Sequence, residues 1–300
     1  MWLSLAFLSA LLLGFYEIFK KTALDGNAVI PVLFLNTVFC SLLFLPVIVL
    51  SYCFPEVIRD TMFYVPRVPF STHLLIILKS VIVLSSWIFA YFSTKHLPIT
   101  IAGTIRATQP VLTLLGALLV FGERLNLYQW IGVLLALLSF YMLSAAGKKE
   151  GINFKHNRWI FFLVLATLFG ATSGLYDKYL MMNVDRMTVQ VWYTWYQIPM
   201  MGAILLFVWY PKRKQSTPFQ WRSSIFFISF FLVIADFIYF YALSFPDSMI
   251  SIVSMVRRSN VVVSFIAGAI IFREKNLKSK AFDLLLVLIG MLFLYIGSKA

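Results

Sequence analysis

Polar residues along this chain are confined to short interruptions between long apolar runs. The runs lie at about 2–22, 29–53, 73–95, 98–121, 126–146, 158–180, 187–210, 222–245, 248–272 and 279–298. A helix that crosses a bilayer needs roughly 20 apolar residues, so each run is predicted to be a transmembrane helix. Several runs nearly abut, as at Leu97-Pro98 and between Glu123 and Asn126. Connections this brief make antiparallel neighbours. The longest polar breaks are 54–72, 147–157 and 211–221, and the first carries Pro55, Pro66 and Pro69. Proline there disfavours a continuing helix.

Composition supports the pattern. The chain has 300 residues, 61% of them hydrophobic and only 12% charged, with a mean hydropathy of +0.88. Soluble domains average ~45–50% apolar and ~25% charged residues. An ordinary cytosolic enzyme, a disordered chain and a secreted disulfide scaffold are all excluded. Ten helices use about 200 residues, which leaves no room for a soluble catalytic domain, and no enzymatic activity is expected. Cys40 and Cys53 lie in or at the edge of one apolar run and read as small hydrophobes. No Cys/His spacing suits a metal, and no cofactor is expected. The formal net charge of +13 would suggest nucleic acid in a soluble protein. Here the Lys and Arg residues flank apolar runs, where they set membrane orientation, and no nucleic-acid partner is implied. The first run lacks a basic leader and ends in Lys20-Lys21 with no small-residue cleavage site, so it reads as a retained helix.

The chain repeats itself. Under a shift of 160 residues, Gly14-Phe15-Tyr16-Glu17 falls on Gly174-Leu175-Tyr176-Asp177. Under a shift of 151, Phe89 meets Phe240, Ser93 meets Ser244, Ile99 and Ile101 meet Ile250 and Ile252, Arg106 meets Arg257, Val111 meets Val262, Phe121 meets Phe272 and Glu123 meets Glu274. The longer 54–72 break absorbs the difference between the shifts. Two units follow, 1–147 and 158–299, each with five helices. An odd number of spans makes the second unit enter from the opposite side. The expected fold is an all-α integral membrane protein of ten helices in two inverted five-helix repeats, a plan of many secondary transporters.

Loop charge predicts orientation. On the side of the N-terminus the loops carry Arg59, Arg67, Arg124, Arg186 and Lys299. The opposite side carries fifteen basic residues, with clusters at Lys20-Lys21, Lys148-Lys149, Lys212-Arg213-Lys214 and between Arg273 and Lys280. The richer side is expected in the cytoplasm, with both termini outside.

Thr108-Gln109-Pro110-Val111-Leu112, continuing to Gly122-Glu123-Arg124-Leu125 and the apolar helix up to Ser144, resembles the drug/metabolite transporter superfamily in its ten-helix EamA branch. Phe272-Arg273-Glu274-Lys275 repeats that ending in the second half. The resemblance covers essentially the whole chain and implies fold and transport class, with little to say about substrate. It departs from the usual pattern in an N-terminus without basic residues and a nearly neutral 54–72 loop. Members commonly look N-inside, so resemblance and loop charge point to opposite orientations.

Charges inside membrane helices cost at least ~2.5–3.5 kcal/mol each at the centre and mark function by default. Arg106, Arg257 and Arg258 lie deep in the fourth and ninth runs. Arg stays protonated, and its planar fork suits carboxylate or phosphate. These three are read as binders of an anionic substrate group; the alternative is a structural Arg paired to Asp236 or to carbonyls. Asp236, Glu17 and Asp177 are the candidates for proton coupling, with an interfacial ion pair as the alternative for the last two. Glu274 and Glu123 sit at helix ends beside basic residues and read as solvated ion pairs or helix-end anchors. In the seventh run Trp192, Trp195 and Tyr196 share a face at i, i+3, i+4. They read either as an interfacial belt or as a stacking wall for a planar substrate, with Gln197 as hydrogen-bonding group and Asn36 lining the same cavity. Gly14, Gly103, Gly116, Gly174 and Gly268 permit close helix packing.

The function expected is a secondary transporter, an exporter, of a small polar and anionic metabolite such as an amino acid or organic acid. Its place is the inner (cytoplasmic) membrane. A broad amphiphile or drug exporter, a phosphate-headgroup lipid flippase and a non-transporting scaffold are the rivals. The chain has no Walker motif, which excludes ATP hydrolysis on it. The expected partners are a small-molecule substrate and membrane lipid, with a homodimer left open.

Overall fold

The computed structural model describes residues 2–121, 126–148, 156–245, 253, 256–274 and 277–299. Among them no strand occurs. The helices are α1 (Trp2–Leu24), α2 (Val29–Cys53), a short α3 (Pro55–Ile58), α4 (Phe70–His96), α5 (Ile99–Ala107), α6 (Gln109–Phe121), α7 (Leu127–Lys148), α8 (Arg158–Asn183), α9 (Arg186–Ile204), α10 (Ser224–Leu243), α11 (Asn260–Ile270) and α12 (Leu277–Lys299). Seven of the helices are long and apolar enough to cross a membrane.

Helix ends follow local chemistry. Asn157 and Asp185 cap α8 and α9 by accepting the N–H groups of Trp159 and Thr188, each at 2.9 Å. Gly26, at φ 59°, turns the chain between α1 and α2. Beyond Pro199, α9 widens into a π-type turn over Leu205–Trp209 and closes with a 3₁₀ turn at Tyr210–Lys212.

The fourth run differs from its expectation as one helix over 98–121. It breaks at Thr108, between α5 and α6. Pro110 has no N–H and disfavours helical geometry at Gln109. The Thr108 N–H turns back to the Ile105 carbonyl at 3.1 Å, and its hydroxyl donates to the same oxygen at 2.7 Å. The ninth run, expected continuous over 248–272, breaks in the same register. Residues 256–258 are helical, Ser259 is a turn, and α11 follows. The Ser259 N–H and hydroxyl both donate to the Val256 carbonyl, at 3.0 and 2.7 Å. Thr108 and Ser259 are related by the 151 shift, as are Ile105 and Val256. The second break has Val261 where the first has Pro110, so the shared device is the hydroxyl that back-bonds its own chain.

Packing obeys the same exchange of halves. α1 lies along α10 as α8 lies along α4, and α1 meets α11 as α8 meets α6. α2 against α9 and α7 against α12 join corresponding elements, and α5 packs against α11, the counterpart of α6. Hydroxyls tie the long contacts: Ser9 donates to the Ala235 carbonyl at 2.7 Å, and Ser86 to the Ala166 carbonyl at 2.8 Å.

A carboxylate holds the start of α5. The first N–H groups of a helix have no internal partner and favour negative charge. Glu274, beyond α11, accepts the Ile99 N–H at 2.5 Å, the Thr100 N–H at 3.3 Å and the Thr100 hydroxyl. Lys280 stands 3.5 Å from it. The preceding Arg273 adopts φ 49°, unusual for a residue with a side chain, and turns the chain toward α5. Glu274 is thus a helix-end anchor between the halves. Glu123, with Ile250 and Ile252, lies outside the described residues.

Gly14 and Gly174 are repeat equivalents with unequal surroundings. A Cβ at Gly14 would overlap the Val263 side chain, whereas nothing lies within 4 Å of one at Gly174. Gly14→Ala is therefore expected to destabilise the fold by ~1–3 kcal/mol, the usual effect of overpacking, and Gly174→Ala to be near neutral. Thermal melting of the two variants in detergent checks this; equal melting shifts would contradict the packing described.

Candidate functional site

The helices enclose a cavity of about 130 Å³. Its charged lining is Glu17 from α1, Lys79 from α4, Arg106 from α5, Asp177 from α8, Asp236 from α10, and Arg257 and Arg258 just before α11. Four cations thus face three carboxylates. A hydrocarbon-embedded charge is tolerated when paired, and the pairs form across helices. Arg106 is bound to Glu17, Lys79 to Asp177 and Arg257 to Asp236. Glu17 also holds Lys20 at 2.5 Å, one turn along α1. Tyr193 of α9 donates its hydroxyl to Asp236 at 2.8 Å.

Aromatic faces complete the cation environments. Lys20 lies over Tyr16 at 4.5 Å, Lys79 over Tyr193 at 5.0 Å and Arg257 over Tyr239 at 4.1 Å from the ring centres. Arg258 is the exception: it lines the cavity and has no carboxylate partner among the described residues. Consecutive residues on a regular helix point about 100° apart. The turn at Ser259 ends the helical segment directly after Arg258, and both guanidinium groups reach the cavity.

The breaks shape the polar rim. Gln109 and Asn260, matched by the 151 shift, each follow a break and line the cavity. Gly170 leaves room for Gln109: a Cβ there would come within 2.7 Å of its side-chain oxygen. Neither amide stood out in the sequence taken singly. The signal that finds them is the repeat register beside Arg106 and Arg257.

The six charged candidates Arg106, Arg257, Arg258, Glu17, Asp177 and Asp236 thus come together. The aromatic candidates do not line this cavity. Trp192 packs edge-on against His73 at 5.2 Å and Tyr52 at 6.5 Å, and the Tyr196 hydroxyl meets His73 Nδ1 at 2.8 Å. Trp195 packs with Phe44 and with Val65 of the 54–72 segment. These rings form an apolar cluster beneath that segment. Asn36 is fully buried between α2 and α10, where its side-chain oxygen accepts from Ser229 at 3.0 Å. Gln197 is fully buried, and neither its side-chain nitrogen nor its oxygen has a hydrogen-bond partner among the described residues. Lys21, next along α1, donates to the Thr94 and Leu97 carbonyls at 2.8 and 2.6 Å.

Breaking one member of a buried pair costs ~3–5 kcal/mol, whereas replacing both by apolar groups is often neutral. Asp177→Leu alone is expected to lower the melting temperature strongly, because Lys79 is left buried and uncompensated. Lys79→Met with Asp177→Leu is expected to restore most of it. A double variant no more stable than the single would mean that the pair is not coupled.

Two segments of the chain, 1–145 and 157–296, match the EamA-like transporter family. No curated protein matches. Among solved structures 24 chains match. One crystal structure is 15% identical, covers 97% of this chain and 98% of its own, and superposes with a TM-score of 0.61. At that identity the likeness concerns the fold alone.

Proposed function

Because this chain belongs to the EamA-like transporter family, and is thus a multi-pass membrane transporter of the drug/metabolite type, we propose that it carries a small polar anion, such as an amino acid or organic acid, outward across the cytoplasmic membrane. The observation that supports an anion is Arg258, a guanidinium open to the cavity and the one cation by which its lining exceeds its carboxylates. A planar fork fits a carboxylate or phosphate in two parallel hydrogen bonds. A cationic drug would meet net repulsion there.

In this reading the ten apolar runs are ten spans, with α5 and α6 together forming the fourth. The two halves are inverted about the cavity, and alternating access moves them around a site close to the midplane. The substrate anion docks on Arg258 and draws Arg106 and Arg257 from their carboxylates. Asp236, released from Arg257, takes up the coupled proton, with Glu17 and Asp177 as its counterparts on α1 and α8. A lipid flippase would use the same guanidinium groups on a headgroup phosphate; inhibition by soluble organic anions separates the two.

Comparing metabolites in medium and cells, with and without overexpression, names the substrate. With that substrate in proteoliposomes, Arg258→Gln is expected to weaken apparent affinity about 10- to 150-fold, the loss of one charge-assisted hydrogen bond worth ~1.5–3 kcal/mol. Arg258→Lys should recover little, because an ammonium is a point donor. Unchanged affinity in Arg258→Gln, Arg106→Gln and Arg257→Gln proteins that insert normally would refute anion binding here.

The excess of Lys and Arg around 147–157 and 211–221 supports cytoplasmic placement of those loops, with both termini outside. Cysteines replacing Lys149 and Lys214 should resist an impermeant reagent in intact cells and react after permeabilisation. Labelling of both in intact cells would invert the orientation.

A further inference from the structure

Most polar groups of the cavity are spent on one another, but two neutral side chains are not. Gln109, the first residue of α6, and Asn260, the first of α11, both line the cavity and are 7% and 9% exposed. Neither side-chain amide has a hydrogen-bond partner among the described residues. The Thr113 hydroxyl does reach Gln109, at 3.1 Å, but on its backbone carbonyl. Other hydroxyls of the lining are committed too: Ser86 donates to the Ala166 carbonyl and Tyr193 to Asp236.

The two amides stand at matched positions of the repeat, one from each half. Gln109 is also held in place by α8. A Cβ on Gly170 would lie 2.7 Å from its Oε1, 3.0 Å from its Cδ and 3.2 Å from its Nε2. The amide therefore rests on bare backbone, which leaves its hydrogen-bonding edge to the cavity.

A buried amide offers both donors and an acceptor. Water satisfies such groups until a solute displaces it, and the solute must then replace the bonds. An anion with an apolar remainder would leave both amides unpaired, which is costly. An ammonium group would need a carboxylate, and Glu17, Asp177 and Asp236 each hold a cation. Lys20, fully buried against Glu17, adds positive charge behind the lining. A hydroxyl is neutral, donates and accepts, and suits either end of an amide.

We propose that Gln109 and Asn260 form a specificity-determining subsite that reads hydroxyl groups, so that the substrate is a hydroxylated organic anion rather than an amino acid. Its acid group sits on Arg258 and its hydroxyls on the two amides. The proposal deepens the anion reading of this cavity and rests on it.

The test is calorimetric binding of propionate, lactate, glycerate and alanine to the full-length protein in lipid nanodiscs. The four share a carboxylate and a three-carbon frame. They differ in bearing no further polar group, one hydroxyl, two hydroxyls or an ammonium. Glycerate is expected to bind about 5- to 150-fold tighter than propionate, the effect of leaving a buried polar group unpaired. Lactate should fall between them, and alanine should bind no tighter than propionate. Gln109→Met and Asn260→Leu keep the side-chain bulk and remove the hydrogen bonds. Each should reduce the glycerate-to-propionate ratio, and together they should bring it close to one. Equal affinity for propionate and glycerate, or alanine ahead of glycerate, would overturn the proposal in the parent protein without any variant. So would an unchanged ratio in the folded double variant. Equal binding of the three anions, weakened alike by Arg258→Gln, removes the subsite and leaves the anion reading intact. Binding of none of the four overturns both.

Discussion

Charge cannot sit alone in hydrocarbon, and that constraint organises this protein from its centre. Four cations and three carboxylates meet in one cavity, carried there by α1, α4, α5, α8, α10 and the segment before α11. Each pair joins two different helices: Glu17 to Arg106, Lys79 to Asp177, Asp236 to Arg257. Lipid gives helices little hydrophobic reason to associate. Cross-helix ion pairs, close glycine contacts and hydroxyls on carbonyls, such as Ser9 on Ala235 and Ser86 on Ala166, supply the specificity.

Internal symmetry supplies the scaffold, and the ion pairs depart from it. The breaks at Thr108 and Ser259 repeat bond for bond. The ion pairs do not. Glu17 holds Arg106, yet the equivalent Asp177 does not hold Arg257; Asp177 takes Lys79, and Arg257 takes Asp236. Lys79 and Asp236 lack counterparts under the 151 shift, which places Phe230 and Ser85 in their stead. The two halves thus satisfy their matched charges by different pairings.

Aromatic residues take a separate role. The Trp192, Trp195 and Tyr196 group packs with His73, Tyr52 and Val65 beneath the 54–72 segment. Spacing at i, i+3, i+4 says that the side chains share a face, and the same spacing serves a cavity wall or a contact under a loop. The rings inside the cavity are Tyr16, Tyr193, Tyr239, Phe240 and Trp87, several of them set over cations.

Length and hydropathy of the apolar runs determined the membrane environment, because a bilayer admits few alternatives to a spanning helix. The two shifts determined the twofold division and matched Arg106 to Arg257. Depth within a run marked Arg106, Arg257, Arg258 and Asp236 before any fold was known, since charge at that depth is costly whatever surrounds it. Tertiary structure alone decided who pairs with whom. Helix rotation and tilt place Lys79 of α4 against the Asp177 carboxylate of α8, and they bring Glu274 to the start of α5 across 174 residues. It also decided that Arg258 stays open to the cavity while its neighbour is bound to Asp236. Periodicity gives the face a residue occupies. Which other face lies opposite depends on how the helices pack, and that information is spread over the whole chain.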